Sequence, residues 1–168
     1  KLALGGIFAI IVIGAYMAFT GYANDVYPLD QSVGFLDRIV ATSDPQSIIA
    51  DINAIKANLP ETGNPVWIFP TDSTNFARIQ ADLDTMLISA EKISAVPTDS
   101  AAYHTGMLDI NSRSVLIQEN IADAIPYMYV SFSNIIFSSI WIAAILGIFA
   151  VLNKKKQKMQ EYDVSQDV

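Results

Sequence analysis

The chain has 168 residues, a formal net charge of −7 at pH 7 and a composition that is 52% hydrophobic without a single cysteine. Without cysteine there are no disulfides, no thiolate catalysis and no cysteine-based zinc site. The acidic balance argues against nucleic acid as a partner, because phosphate binding requires a basic surface. Two apolar segments without charged residues remain as the strongest signal, and they predict a membrane protein.

The two apolar segments are residues 2–23 and 127–152. A helix needs about 20 apolar residues to cross a bilayer, so we predict transmembrane helices over residues 1–24 and 127–153. The first segment has an alternative interpretation as a signal peptide, because Gly21 and Ala23 have the spacing that signal peptidase prefers. Its apolar run exceeds the roughly 7–15 residues of a signal peptide, which favours an uncleaved anchor.

A basic cluster follows the second apolar segment and predicts the orientation of the chain. It consists of Lys154, Lys155, Lys156 and Lys158. Such clusters stay preferentially in the cytoplasm, so residues 154–168 are predicted to be a cytoplasmic tail, with the N-terminus also inside. Residues 25–126 then form an extracytoplasmic domain. The segment 24–126 has 14 acidic and 5 basic residues, a net of −9, which suits an aqueous exported face.

Helical periodicity begins soon after the first apolar segment. A weak apolar stripe between Pro28 and Thr42 predicts a first helix, and its members are Val33, Leu36 and Val40. A second helix is predicted from Pro45, capped by Asp44, to Pro60. Its stripe consists of Ile48, Ile52, Ile55 and Leu59.

Two longer helices are predicted in the second half of this domain. The first, about residues 72–95, is capped by Asp72 or Ser73 and has a stripe formed by Phe76, Ile79, Leu83, Met86, Ala90 and Ile93. The next begins after Thr98 and Asp99 and runs to about Ala124. Its stripe is Tyr103, Met107, Ile110, Ile117 and Ile121, interrupted by Ser114.

These patterns predict an all-α integral membrane protein in which two transmembrane helices flank an extracytoplasmic bundle of about four helices. The two long helices should form an antiparallel hairpin across Pro97. Pro28 and Pro126 lie just outside the apolar segments, where each is predicted to break or kink the chain between membrane and bundle.

Small residues recur at helical spacing within both apolar segments. They are Gly6, Gly14 and Ala18 in the first, and Ser131, Ser139, Ala143 and Gly147 in the second. Small faces let membrane helices approach closely, so we predict pairing of these helices with each other or with another subunit. Asn134 and Ser138 could add hydrogen bonds across that contact.

Candidate catalytic residues are few. His104 is the one histidine of the chain, and the carboxylate pairs Glu119/Asp123 and Asp82/Asp84 have no further ligands nearby in sequence. A solvated surface explains them better than a metal or acid–base site. The sequence therefore predicts no catalytic residue, no metal site and no cofactor.

The segment from Pro65 to Pro70 contains four large apolar residues held extended by two prolines. These are Val66, Trp67, Ile68 and Phe69. They either close the open end of the bundle or form a contact with a partner protein, because exposed aromatic clusters mark interaction sites.

The function predicted from these features is that of a non-catalytic accessory or structural subunit of a larger membrane complex. Respiratory complexes and copper membrane monooxygenases are examples with small helical subunits, an analogy of architecture alone. Its partners would be other membrane subunits and the lipid bilayer. The alternative is a sensory input module, since the segment plan resembles the input half of bacterial chemoreceptors. Only 16 residues follow Leu152, too few for a signalling relay, which favours the accessory subunit.

Overall fold

A computed structural model describes residues 2–166 of the chain, with side chains over residues 5–158. That part of the chain is helical and has no β-strand, as predicted. The helices are α1 (Leu2–Gly21), α2 (Tyr27–Ala41), α3 (Pro45–Asn58), α4 (Phe76–Ser94), α5 (Ala101–Tyr129) and α6 (Phe132–Gln166), with a π-helical turn over Tyr22–Val26. Two helical stretches, 5–41 and 101–158, contain segments long and apolar enough to cross a membrane.

The chain forms two compact units, and residues 22–131 make up the helical bundle. In this unit α2 packs on α3 and α5, and α4 packs on α3 and α5. The predicted stripes of the last three bundle helices all lie in one core, whose fully buried side chains include Ile52, Leu83, Met86 and Ile117. Leu59, at the end of the α3 stripe, is buried as well. The antiparallel hairpin of α4 and α5 across Pro97 is confirmed.

The helix caps follow the expected chemistry but differ in position. Asp44 caps α3 as predicted, accepting from the amides of Gln46 and Ser47. For α4 the cap is Asn75, three residues after the predicted Asp72. Asp72 instead forms an ion pair with Arg78 at 2.8 Å. For α5 the cap is Ser100, directly after the predicted Thr98 and Asp99.

The predicted face of α2 is wrong in phase. Leu36 is buried, but Val33 is only partly buried and Val40 is exposed. The buried face consists of Leu29, Ser32, Leu36 and Ile39. Both sets have helical spacing and share Leu36, and Ser32 can replace an apolar residue because its hydroxyl donates to the Pro28 carbonyl at 2.8 Å.

The two prolines interrupt the chain less than predicted. Pro28 lies in the first turn of α2, where the missing N–H costs little, and the irregularity precedes it as the π-helical turn. Pro126 lies inside α5, which continues to Tyr129, beyond its predicted end at Ala124. The helical pattern is broken at Val130 and Ser131, before α6 begins.

Polar side chains form hydrogen bonds between the elements of the bundle. Gln80 on α4 donates to the carbonyls of Lys56 and Leu59, which lie at the C-terminal end of α3. The hydroxyl of Tyr103 donates to the Ser43 carbonyl, and Gln118 on α5 donates to Asp37 on α2 at 2.8 Å. The two Gln80 bonds fix the end of α3, from which the loop between α3 and α4 extends.

Candidate interaction surfaces

The loop between α3 and α4 closes on itself at its base. The amide of Phe76 donates to the carbonyl of Gly63 at 2.9 Å, so residues 63–76 form a loop whose ends meet. Gly63 has a positive φ of 110°, a conformation that disfavours a side chain. We call residues 63–76 the Trp67 loop.

A polar network built on Asn64 holds the base of the Trp67 loop. Asn64 donates to the Thr71 carbonyl at 2.7 Å and accepts from the Val66 amide at 3.0 Å and the Thr74 hydroxyl at 2.9 Å. Thr74 is buried, so its hydroxyl needs these partners. A network of this kind gives the loop one defined conformation, although the sequence offered no pattern that singled out Asn64 and Thr74.

The four residues predicted to contact a partner divide into two groups. Val66 is buried, so it belongs to the bundle unit itself. Trp67, Ile68 and Phe69 are 51%, 59% and 81% exposed. We call these three residues the loop tip. The alternative that all four residues close the end of the bundle is therefore not what the structure shows.

Trp67 connects the loop tip to the end of α5. Its indole Nε1 donates to the carbonyl of Val130 at 3.2 Å. Val130 follows the last residue of α5, where helix carbonyls lack partners within the helix. The bond therefore satisfies an otherwise free acceptor and holds Trp67 beside the residues that lead into α6.

In the second compact unit, α1 and α6 pack against each other. The Trp141 indole donates to the carbonyl of Ile10 at 3.0 Å, and its ring fills the space beside Gly14. Asn134 lies next to Gly21, with Oδ1 3.5 Å from the ideal Cβ position there. Because Gly14 pairs with Trp141 and Gly21 with Asn134, the two helices are antiparallel.

The predicted small-residue face of α6 points away from α1. Residues 134 and 141 are seven apart and share one side of the helix, whereas Ala143 lies on the opposite side at 3.6 residues per turn. Ser139, Ala143 and Gly147 are exposed, and nothing lies within 4 Å of a Cβ built at Gly147. On α1, Gly14 faces α6, Gly6 is partly exposed with open space around it, and Ala18 is exposed.

The candidate polar residues stay apart. His104, Glu119 and Asp123 are exposed on α5. Asp84 is paired with Lys56, and Asp109 with Arg113 at 2.9 Å. Within the described side chains no three His, Cys, Asp or Glu residues converge on a possible metal position.

One ion pair lies where the sequence did not indicate one. Asp51 is buried on α3 and accepts from the guanidinium of Arg38 on α2, which also stacks over Phe35 at 4.7 Å. A buried carboxylate needs such a partner, so this pair fixes α2 against α3.

Comparison with known proteins gave no match to a family model, to a curated protein or to a solved structure.

Proposed function

We propose that this chain is a non-catalytic accessory subunit of a larger membrane protein complex. In this proposal α1 and α6 cross the bilayer, residues 25–126 form a helical domain on the extracytoplasmic side, and residues 154–168 lie in the cytoplasm. A respiratory complex and a copper membrane monooxygenase are examples of possible hosts, by analogy of architecture.

The open small-residue face of α6 carries this proposal. Trp141 and Asn134 are on the side that packs on α1, which leaves Ser139, Ala143 and Gly147 on the opposite side. A small face lets the backbone of another helix approach within packing distance. Within the bilayer, the partner that fits this face is a transmembrane helix of another subunit.

The bundle unit offers less surface for a subunit contact than α6 does. Its core is complete within the chain, since the stripes of α3, α4 and α5 cover one another. The segment Val66–Phe69 is the other candidate for a protein contact, but Val66 is buried and Trp67 is bonded to Val130. The face of α6 is therefore the better candidate for the main subunit contact.

The test is purification of the tagged chain from its native membrane in a mild detergent, followed by native electrophoresis. The wild-type chain should migrate with a complex much larger than itself, whose other subunits are identified by mass spectrometry. Replacing Ala143 and Gly147 with Leu should release the chain, because the added side chains fill the open face.

Ile142→Phe is the control, since Ile142 is also exposed on α6 but lies about 100° around the helix from Ala143 and about 140° from Gly147. It should leave the complex intact. Migration of the wild-type chain without partners contradicts the proposal, and a homodimer alone supports the sensory alternative. If the control substitution releases the chain as readily as the double substitution at Ala143 and Gly147, the small-residue face of α6 is not the subunit contact.

A further inference from the structure

We infer that the loop tip inserts into the headgroup region of the extracytoplasmic leaflet, where Trp67, Ile68 and Phe69 act as a second, lipid-bound attachment of the bundle to the membrane. The inference requires that α6 crosses the bilayer. It does not require a protein partner, so it stands or falls separately from the proposed subunit role.

The position of Trp67 along the chain is the first argument. Its Nε1 is 3.2 Å from the carbonyl oxygen of Val130, and Val130 is two residues before Phe132, where α6 begins. Two residues of chain span at most about 7 Å. Connectivity alone therefore keeps the indole within about 10 Å of the first residue of α6.

The length of the apolar part of α6 places this point relative to the bilayer. Residues 132–152 contain no charged side chain, and Lys154 follows. These residues form about 31 Å of helix at 1.5 Å per residue, which matches a hydrocarbon core of about 30 Å. Phe132 then lies near the outer boundary of the core, and the Trp67 indole, at most about 10 Å from it, has the reach to enter the lipid headgroup layer.

The chemistry of the loop suits that depth. No charged residue occurs between Glu61 and Asp72, so insertion of the tip desolvates no charge. Tryptophan prefers the membrane interface because its ring is apolar and its N–H is polar. Here the N–H has a protein acceptor, which leaves the apolar edge of the ring and the side chains of Ile68 and Phe69 for lipid.

Three further apolar residues are exposed close to the Val130 acceptor along the chain. Tyr127, Tyr129 and Val130 are exposed, and the first is three residues from the last. Aromatic residues in this position form the belt that surrounds membrane-spanning segments. The base of the loop is held by Asn64 and Thr74, so the tip is presented without a large cost in conformational order.

The experiment uses the absence of cysteine from the chain. A single cysteine is introduced in the full-length protein by Phe69→Cys, labelled with the environment-sensitive fluorophore NBD, and reconstituted in phosphatidylcholine vesicles. Nitroxide groups carried on the lipid near the headgroup should remove more than half of the fluorescence, and the emission should be shifted to the blue.

Leu108→Cys is the control. Leu108 is 68% exposed, comparable with Ile68 and Phe69, but lies 22 residues before Val130 along the same α5 helix, about 33 Å away. Its label should show water-like emission and little quenching. Helix content measured by circular dichroism confirms that both labelled proteins are folded.

Equal quenching at positions 69 and 108 would overturn the inference. A blue shift at position 69 without quenching by lipid nitroxides would also overturn it, because the tip would then be covered by protein. Quenching confined to position 69 supports lipid insertion whether or not the native chain migrates with other subunits.

Discussion

The indole of Trp141 occupies the space that a side chain would need at Gly14. Three of its ring atoms lie 2.8 Å from the ideal Cβ position, closer than real Cβ contacts allow. The same ring donates its N–H to the Ile10 carbonyl one turn earlier on α1. Trp141 thus supplies both close packing and a hydrogen bond between the two apolar helices.

Gly14→Ala should therefore weaken the pairing of α1 and α6 by about 1–3 kcal/mol, since overpacking of this kind displaces a ring or a helix. Trp141 should also lose its bond to Ile10, which changes its emission. We would measure Trp141 fluorescence and thermal unfolding in detergent micelles, in a Trp67→Phe background. Gly5→Ala is the control, because nothing lies within 4 Å of a Cβ there. If both variants behave as the parent, the pairing does not depend on Gly14.

A second close approach occurs in the bundle, between Gly106 on α5 and Ile93 on α4. A Cβ at Gly106 would overlap Cγ2 of Ile93, a β-branched side chain that is buried in the core. Gly106→Ala should lower the free energy of unfolding by about 1–3 kcal/mol despite the better helix propensity of alanine. Thermal unfolding of the full chain in micelles measures the effect.

Gly34→Ala provides a control of opposite sign. Gly34 lies within α2 and has open space around it, so alanine should raise stability by about 0.5–1 kcal/mol through helix propensity. If Gly106→Ala is stabilising to the same degree, α4 and α5 do not approach as closely as the structure shows.

The core of the bundle leads to a third prediction. Leu83 is completely buried on α4 between α3 and α5, so Leu83→Asp places a charge without a partner in the core. We expect a loss of about 4 kcal/mol or more, visible as a large fall in melting temperature. Leu108→Asp, at an exposed position, should change the melting temperature little. Similar melting temperatures for Leu83→Asp and Leu108→Asp would contradict the burial of Leu83 in the core.

The helix faces of α3, α4 and α5 could be predicted because a 3.6-residue period depends only on neighbouring residues. The same period failed on α2, since Val33 and Ile39 both have the correct spacing from Leu36 and only the packing of α2 on α3 and α5 selects Ile39. The small-residue face of α6 was found in the sequence, but its direction depends on Trp141 meeting Gly14.

The loop tip also shows that local sequence patterns do not predict contacts between residues distant in the chain. Its apolar residues and flanking prolines were visible in the sequence, and their exposure was one of two alternatives. The bond from Trp67 to Val130 joins residues 63 apart, and no local pattern indicates it. The depth that we infer for the tip depends on this bond, so it could only follow from the structure.

The cap of α3 predicts a dependence of stability on pH. The Asp44 carboxylate accepts from the Ser47 hydroxyl and from the amides of Ser47 and Gln46, and these bonds lower its pKa below the ordinary value of an aspartate. A carboxyl whose pKa is lower in the folded state stabilises the fold above its unfolded pKa, and this contribution is lost as the pH falls through the folded pKa.

Asp44→Asn keeps an oxygen acceptor for the cap but cannot be protonated. The variant should therefore lose less stability than the wild type as the pH falls below about 4, the ordinary pKa of an unfolded aspartate, while both remain folded at neutral pH. Unfolding of the full chain as a function of pH makes the comparison. Parallel curves for the two proteins would show that the Asp44 cap is not linked to pH.

The last prediction concerns orientation in the membrane. The four lysines from Lys154 to Lys158 favour the cytoplasm, which places the bundle outside if α1 and α6 both cross the bilayer. Because the chain lacks cysteine, single cysteines can report each side. Ser89→Cys, on α4, should react with a membrane-impermeant maleimide in intact cells. Gln157→Cys, within the basic cluster, should react only after permeabilisation. Reaction of position 157 but not position 89 in intact cells would show that the topology is the opposite of the predicted one. Reaction of both positions in intact cells would mean that α6 does not cross the membrane.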